Sequence, residues 1–303
     1  LAIATNGQLG DMSTPAAGVF RSANLGASWT AMDLPLTLDA PRSIAGVSNT
    51  GPIVITTTAN HGYATGDRVR ITGAGGGANG DWTISVNAAT PNQFTLIGSV
   101  AGGGAGAGGT VKNLQGILHG RQAFPNLALA ADPGNANLVY IGGDRQDFLG
   151  ADSSIGANAF SARIFRGDFG VPAQGLGSVV TDATHQWTPL THSGTSNNSS
   201  PHADARALVI DAGTLLYAGD GGIFNENNPT TTTGRWFSDN GAPSGGNFGI
   251  QVTQFSSEIS YDGRSNIIFG GAQDTGTPQQ SAPGSLVYSD QTQGDGPFTA
   301  HFD

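Results

Sequence analysis

Apolar residues along this chain come in short runs, each bounded by Gly, Asn, Asp or Pro. That spacing predicts strands joined by tight turns and leaves almost no helical periodicity. The runs also recur as a composite unit. One copy reads LALAADPGNANLVYIGGD from Leu127 to Asp144, then ARIFRGDF (Ala162–Phe169) and QWTPL (Gln186–Leu190). A second reads ALVIDAGTLLYAGDGGIF from Ala207 to Phe224, followed by GRWFSDN, Gly234 to Asn240. A third reads EISYDGRSNIIFGGAQD from Glu258 to Asp274, followed by SLVYSD, Ser285 to Asp290. A partial copy, LAIATN and then GVFRSANLGASWTAMD (Gly18–Asp33), opens the chain. In each unit an apolar strand meets a polar turn. A second strand ends in Gly, a third in an aromatic, and a fourth often carries Trp.

This grammar describes a four-stranded antiparallel meander. Its repeat of about 50 residues, where nothing intervenes, is the length of a propeller blade. One meander cannot cover both of its faces, and stacking meanders around an axis does. The expected fold is therefore all-β: propeller blades, part of a larger propeller, with a small β-domain inserted, for which a barrel form is implied by the resemblance given below. The blades occupy residues 1–47 and 114–303, and the insertion 48–113. The chain reads as starting and stopping inside blades, with Gly294–Asp303 opening a further one.

Within the insertion the blade grammar gives way to about five strand-like runs with short Gly and Asn turns, interrupted before the last by the tract AGGGAGAGG, Ala101 to Gly109. That tract is read as a flexible linker, with a packed irregular edge as the alternative.

Composition sharpens this picture. Gly accounts for 48 of the 303 residues and charged residues for only 11%. Gly supplies the positive φ that tight turns need. Lys112 is the only lysine, and Glu226 and Glu258 are the only glutamates. The net charge of -10 rests on Asp. It argues against nucleic acid, which needs clustered Lys and Arg, and against anionic membrane surfaces. No apolar run approaches the roughly 18 residues of a membrane-spanning helix. Cysteine is absent, which removes disulfides and thiolate zinc sites. Loop aspartates admit Ca²⁺, a cation that takes oxygen ligands, with Asp144, Asp220 and Asp274 as the candidate ligands. The same aspartates also serve as plain turn formers.

Ser22-Ala23-Asn24-Leu25-Gly26-Ala27-Ser28-Trp29 resembles an Asp-box, the S-x-D-x-G-x-x-W hairpin of sialidase-like and sortilin-like propellers. Asn24 stands where the box carries Asp and can still accept a backbone hydrogen bond. Ser22, Asn24, Gly26 and Trp29 are the structural residues the resemblance implies. The phrases ADPGNANLVYIGG, PHADARAL, GDGGIF and GGAQDTGT resemble the same superfamily. The insertion resembles a small β-barrel module of phage and bacterial surface proteins, related to the first catalytic-cysteine half-domain of ubiquitin-activating enzymes. The matching residues are His61-Gly62-Tyr63, Gly66-Asp67, Asn79-Gly80, Trp82 and Phe94-Thr95-Leu96. No ubiquitin chemistry carries over, because the chain has no cysteine.

Candidate chemistry is sparse. A sialidase needs converging arginines and a Tyr nucleophile with a Glu partner, and Glu is nearly missing. A glycosidase needs two carboxylates across a cleft. Asp144, Asp147, Asp220, Asp274 and Asp295 all follow strand-ending glycines, and Asp220 with Asp274 is the pair chosen. His202 and Asp204, with His185 and His192 nearby, invite a metal, against the plainer reading that they bond a neighbouring blade. Trp29, Trp187 and Trp236 read as plugs between strands.

The expected function is a non-catalytic scaffold or a protein- or glycan-binding module of a larger assembly. Its partners would be other protein chains or surface polysaccharide. The alternative is a glycoside hydrolase working through Asp220 and Asp274. Export to the cell surface, periplasm or medium fits a Lys-poor, Cys-free, Thr/Asn/Gly-rich chain.

Overall fold

A computed structural model describes residues 2–5, 16–118, 126–145, 161–175, 177–182, 184–239, 255–272, 276–285 and 287–292. The expected first strand of a further blade, 294–303, lies outside these residues. Among them the regular secondary structure is almost wholly strand, with one short 3₁₀ turn at His192–Gly194.

The first sheet joins β1 (Ala2–Thr5), β2 (Ala16–Arg21) and β3 (Thr30–Ala31) in an antiparallel meander. A short β4 (Thr37–Leu38) leads into a barrel. Its strands are β5 (Arg42–Val47), β6 (Val54–Thr57), β7 (Arg68–Thr72), β8 (Gly80–Val86), β9 (Gln93–Leu96) and β10 (Thr110–Gln115). The spatial order is β10-β5-β6-β9-β8-β7, and β10 pairs with β7 to close the ring. The barrel thus starts at Arg42, ahead of the position 48 at which the blade grammar breaks.

Alternation fills the barrel. Val69, Ile71, Ile84, Phe94, Leu96 and Val111 point inward and are at most 1% exposed, as period-two strands require. The motif residues of the insertion are structural supports here. Tyr63 donates its N–H to His61 Nδ1 at 2.9 Å, and His61 Nε2 lies 3.1 Å from the Gln93 carbonyl. Asn79 bonds both backbone groups of Ala74, and the Trp82 indole donates to the Ala78 carbonyl at 2.8 Å.

The glycine tract is a packed edge, not a flexible linker. Val47 and Gly106 exchange both backbone bonds, at 2.7 and 3.1 Å, and the N–H of Ile44 donates to the Gly109 carbonyl at 3.1 Å. Two glycine-rich segments press together here. A Cβ on Gly106 would lie 3.0 Å from Gly75, and one on Gly109 only 2.5 Å from the Ala74 nitrogen. Backbones approach this closely only without side chains, so composition alone could not separate the packed edge from a linker.

The chain enters and leaves the barrel through a neck. Leu38 and Thr37 of β4 pair with Leu114 and Gln115 of β10. The Asp39 and Asn113 backbones are bonded as well. Leu34, Leu36, Leu114 and Val179 form a small apolar cluster at this neck.

Three four-stranded antiparallel meanders of blade form follow. The first holds β11 (Ala128–Ala131), β12 (Leu138–Arg145), β13 (Ala162–Asp168) and β14 (Trp187–Pro189). The second holds β15 (Ala205–Asp211), β16 (Thr214–Gly219), β17 (Gly222–Asn227) and β18 (Arg235–Ser238). The third holds β19 (Phe255–Asp262), β20 (Ile267–Ala272), β21 (Pro278–Gln280) and β22 (Tyr288–Asp290). The sequence grammar passes over β21, a Pro-Gln-Gln strand with no apolar run.

Neighbouring sheets share cores. Val19 and Met32 of the first sheet pack with Val139, Ile141, Phe165 and Trp187. Tyr140, Ile164 and Leu190 pack with Leu208, Tyr217, Phe224 and Trp236 of the next. Trp187 and Trp236 are each 1% exposed, as plugs should be, whereas Trp29 is 48% exposed.

Candidate functional site

The turns at the two ends of the β11–β14 and β15–β18 meanders present different chemistry. One end carries the sequence-chosen aspartates. Asp144 closes β12 and is fully buried. Asp220 sits in the β16–β17 turn, its Oδ1 bound by Arg206 Nε at 2.8 Å and Nη2 at 2.6 Å. The Asp220 side chain is only 9% exposed, and its Oδ2 is closed off from solvent. Asp147, Asp274 and Asp295 lie outside the described residues.

The neighbouring Pro201–Asp204 stretch runs against the preceding meander. The N–H of Ala162 donates to the Pro201 carbonyl, His202 bridges Ser161, and the N–H of Asp204 reaches the Asp144 carbonyl at 3.4 Å. Gly221 makes room for His202, since a Cβ there would sit 2.3 Å from that of His202. His192 is spent on Ser161 Oγ at 2.8 Å, and His185 Nδ1 accepts the Trp187 N–H. Among the described residues no group of three or more His, Cys, Asp or Glu side chains is arranged to hold a metal ion.

The opposite end holds a cleft that sequence reasoning missed. It lies between the β11–β12 and β15–β16 turns and has a volume of ≈ 680 Å³. Asp132, Asn135, Arg166, Asp168, Ile210 and Thr230 line it. Asp132 is fixed by its own turn. Its Oδ1 accepts the N–H groups of Gly134 and Asn135, and its Oδ2 accepts the Tyr140 hydroxyl at 3.1 Å. Burial and the Asp132 carboxylate both push the Tyr140 phenol up. Arg166 stands opposite Tyr140 across the β12–β13 ladder and donates to the Pro229 carbonyl at 3.4 Å.

Beside this cleft lies Glu226, fully buried, with no hydrogen-bond partner for either carboxylate oxygen among the described residues. Gly234 makes its space, because a Cβ there would fall 2.6 Å from Glu226 Oε1. Burial pushes the Glu226 carboxyl up to about 9, with Arg166 pulling the other way. It is therefore a neutral acid at pH 7. The signal was present in GIFNEN, where alternation puts Glu226 on the same inward face as Gly222 and Phe224.

The box-like turn is ordered by side chains, with Ser22, Asn24 and Gly26 all taking part. Asn24 Oδ1 accepts the Ser28 N–H at 2.8 Å, and Ser22 Oγ accepts the Gly26 N–H at 2.7 Å. Gly26 takes φ 91, and Leu25 at its tip takes φ 56. From this turn Arg21 donates to the Ala136 carbonyl at 3.2 Å and lies 4.8 Å over the Phe169 ring.

No family model matches the chain, and no curated protein does. Among solved structures it is similar to phage phi92 endosialidase, at 12% sequence identity and a TM-score of 0.21. The similarity covers 86% of this chain and 41% of that one. The class defined by the strand register is thus an all-β protein of four-stranded antiparallel meanders carrying a closed barrel.

Proposed function

We propose that the chain is a propeller segment of the Asp-box kind, exported, and acting as a non-catalytic scaffold or a protein- or glycan-binding module in a larger assembly. The supporting observation is the set of large apolar side chains that the β19–β22 sheet holds in water. Ile259 is 57% exposed, Tyr261 60%, Val287 48% and Tyr288 37%. Ile259 and Tyr261 stand two residues apart on one face of β19, and exposed apolar side chains gathered on one face mark contact surfaces, where a Tyr ring offers a partner apolar area together with a hydroxyl. The insertion, with its likeness to surface-protein barrels, fits a decorating role.

The hydrolase reading has less support. Asp220 is bound by Arg206 and turned from solvent, whereas a glycosidase carboxyl must face substrate. Turnover assays on a panel of polysaccharides, with Asp220→Asn and Asp274→Asn as controls, test the choice. The expected result is no turnover, with glycan or protein binding weakened by Tyr261→Ala and Tyr288→Ala. Turnover abolished by either aspartate change overturns the scaffold reading.

A further inference from the structure

The seam between the β11–β14 and β15–β18 sheets changes character along its length. Residues two apart on a strand share a face. On β13, Ala162 and Ile164 lie in the core shared with Leu208 of β15, and the next two places on that face, Arg166 and Asp168, line the cleft with Ile210. The seam is thus apolar at depth and polar where it opens. All eight strands, and both turns that frame the opening, lie within the described residues, so two complete meanders build the cleft.

The groups at the opening are largely uncommitted. Arg166 is half-buried, yet among the described residues it makes only the long bond to the Pro229 carbonyl, and no carboxylate there pairs with it. Most of its five N–H donors are left over. Arg70 and Arg206, by contrast, each close on an aspartate. Asp168 spends Oδ1 on the Gly170 N–H at 2.7 Å, and no described donor takes its Oδ2. Asn135 Oδ1 accepts the Asn137 N–H at 3.0 Å, which leaves its amide nitrogen to donate. Holding a cation partly out of water without a counter-charge is costly, and an incoming acceptor offsets that cost.

Charge narrows what the acceptor can be. Asp132 and Asp168 together outweigh Arg166, and Glu226 is neutral at pH 7. The cleft therefore repels anions, while Arg166 stands against cations. A hydroxyl suits both signs, because one oxygen accepts from Arg166 or Asn135 and donates to Asp168. The volume of ≈ 680 Å³ is that of an ordinary small-molecule pocket, and Ile210 offers apolar area to the C–H face of a sugar ring. Peptides are taken up along strand edges or in long grooves, whereas two turns bound this hollow.

We propose that this cleft binds a short neutral saccharide, with Arg166, Asp168 and Asn135 holding its hydroxyls. This rests on the binding-module reading above and gives it a second site, apart from the β19–β22 sheet.

The test is calorimetric titration with neutral di- and trisaccharides of glucose, galactose, mannose and N-acetylhexosamines, beside uronate-containing sugars and an acidic peptide. The wild type is expected to bind a neutral sugar best. Arg166→Gln and Asp168→Asn are each expected to weaken that binding about tenfold, the worth of one charge-assisted hydrogen bond. Thr230→Trp, at an exposed place on the cleft wall, is expected to block it, with circular dichroism confirming that all three variants keep their strands. Tyr261→Ala is expected to leave it unchanged. No neutral saccharide bound at millimolar concentration overturns the proposal, and so does a preference for the uronates or the peptide. Binding that ignores Arg166, Asp168 and Thr230 but is lost in Tyr261→Ala also overturns it, while leaving the binding-module reading standing.

Discussion

Glu226 is the residue whose chemistry departs furthest from its surroundings. In the unfolded chain its carboxyl titrates near 4.5, and in the fold near 9. Between these values the folded state holds a proton that the unfolded state has released. Stability from this group is therefore full below pH 4.5 and declines as pH rises towards 9. At pH 7 the cost is about 3 kcal/mol. Glu226→Gln keeps the shape and removes the titration. Denaturant unfolding of this variant is expected to match wild type at pH 4 and to exceed it increasingly from pH 6 to 8. An unchanged pH slope would show that burial does not hold the proton. Trp236→Phe makes the complementary point. It keeps most of the apolar contact and strands the Leu190 carbonyl, for an expected loss of about 1–3 kcal/mol in the same assay. Glu226 was hidden in the sequence because NENN reads as a polar loop. Only the alternation from Gly222 shows that it faces inward.

At the scale of the elements, the strands were legible because each run is short, apolar and bounded by turn residues. The runs at Leu127, Ala207 and Glu258 became β11, β15 and β19. What the pattern did not explain was why second strands end in Gly. The structure supplies a steric reason. A Cβ on Gly143 would lie 1.9 Å from the Ile117 carbonyl oxygen, and one on Gly142 would lie 2.8 Å from the Ala205 Cβ. Another stretch of backbone or side chain crosses each site. Gly143→Ala is expected to lower stability by about 1–3 kcal/mol through overpacking, measured by thermal or urea unfolding. Gly263, with nothing within 4 Å of its Cβ position, is the control and is expected to accept Ala without loss. The β10–β7 pairing that closes the barrel was illegible for another reason. Ring closure joins residues far apart in the chain, and no local spacing encodes it. The inter-blade cleft was illegible likewise, since Asp132, Arg166 and Thr230 meet only through the stacking of two meanders.

At the scale of the molecule, the barrel and the blades are held by separate cores. Thirteen buried residues from Ile44 to Val111 form the barrel interior and belong to no other cluster. The neck joins the two, with Leu38 opposite Leu114 and Thr37 opposite Gln115. Joining Asp39 to Asn113 through a short turn is therefore expected to delete the barrel and leave the meanders folded. Near-ultraviolet circular dichroism from the buried Trp187 and Trp236 would report it, and loss of that signal would show that the blades need the barrel. A polypeptide that departs and returns through one adjacent pair of strands tolerates exchange at that point. Recombination between genes could replace whatever hangs from the neck with a cassette of another length and specificity, and the blades would not have to change a residue to receive it.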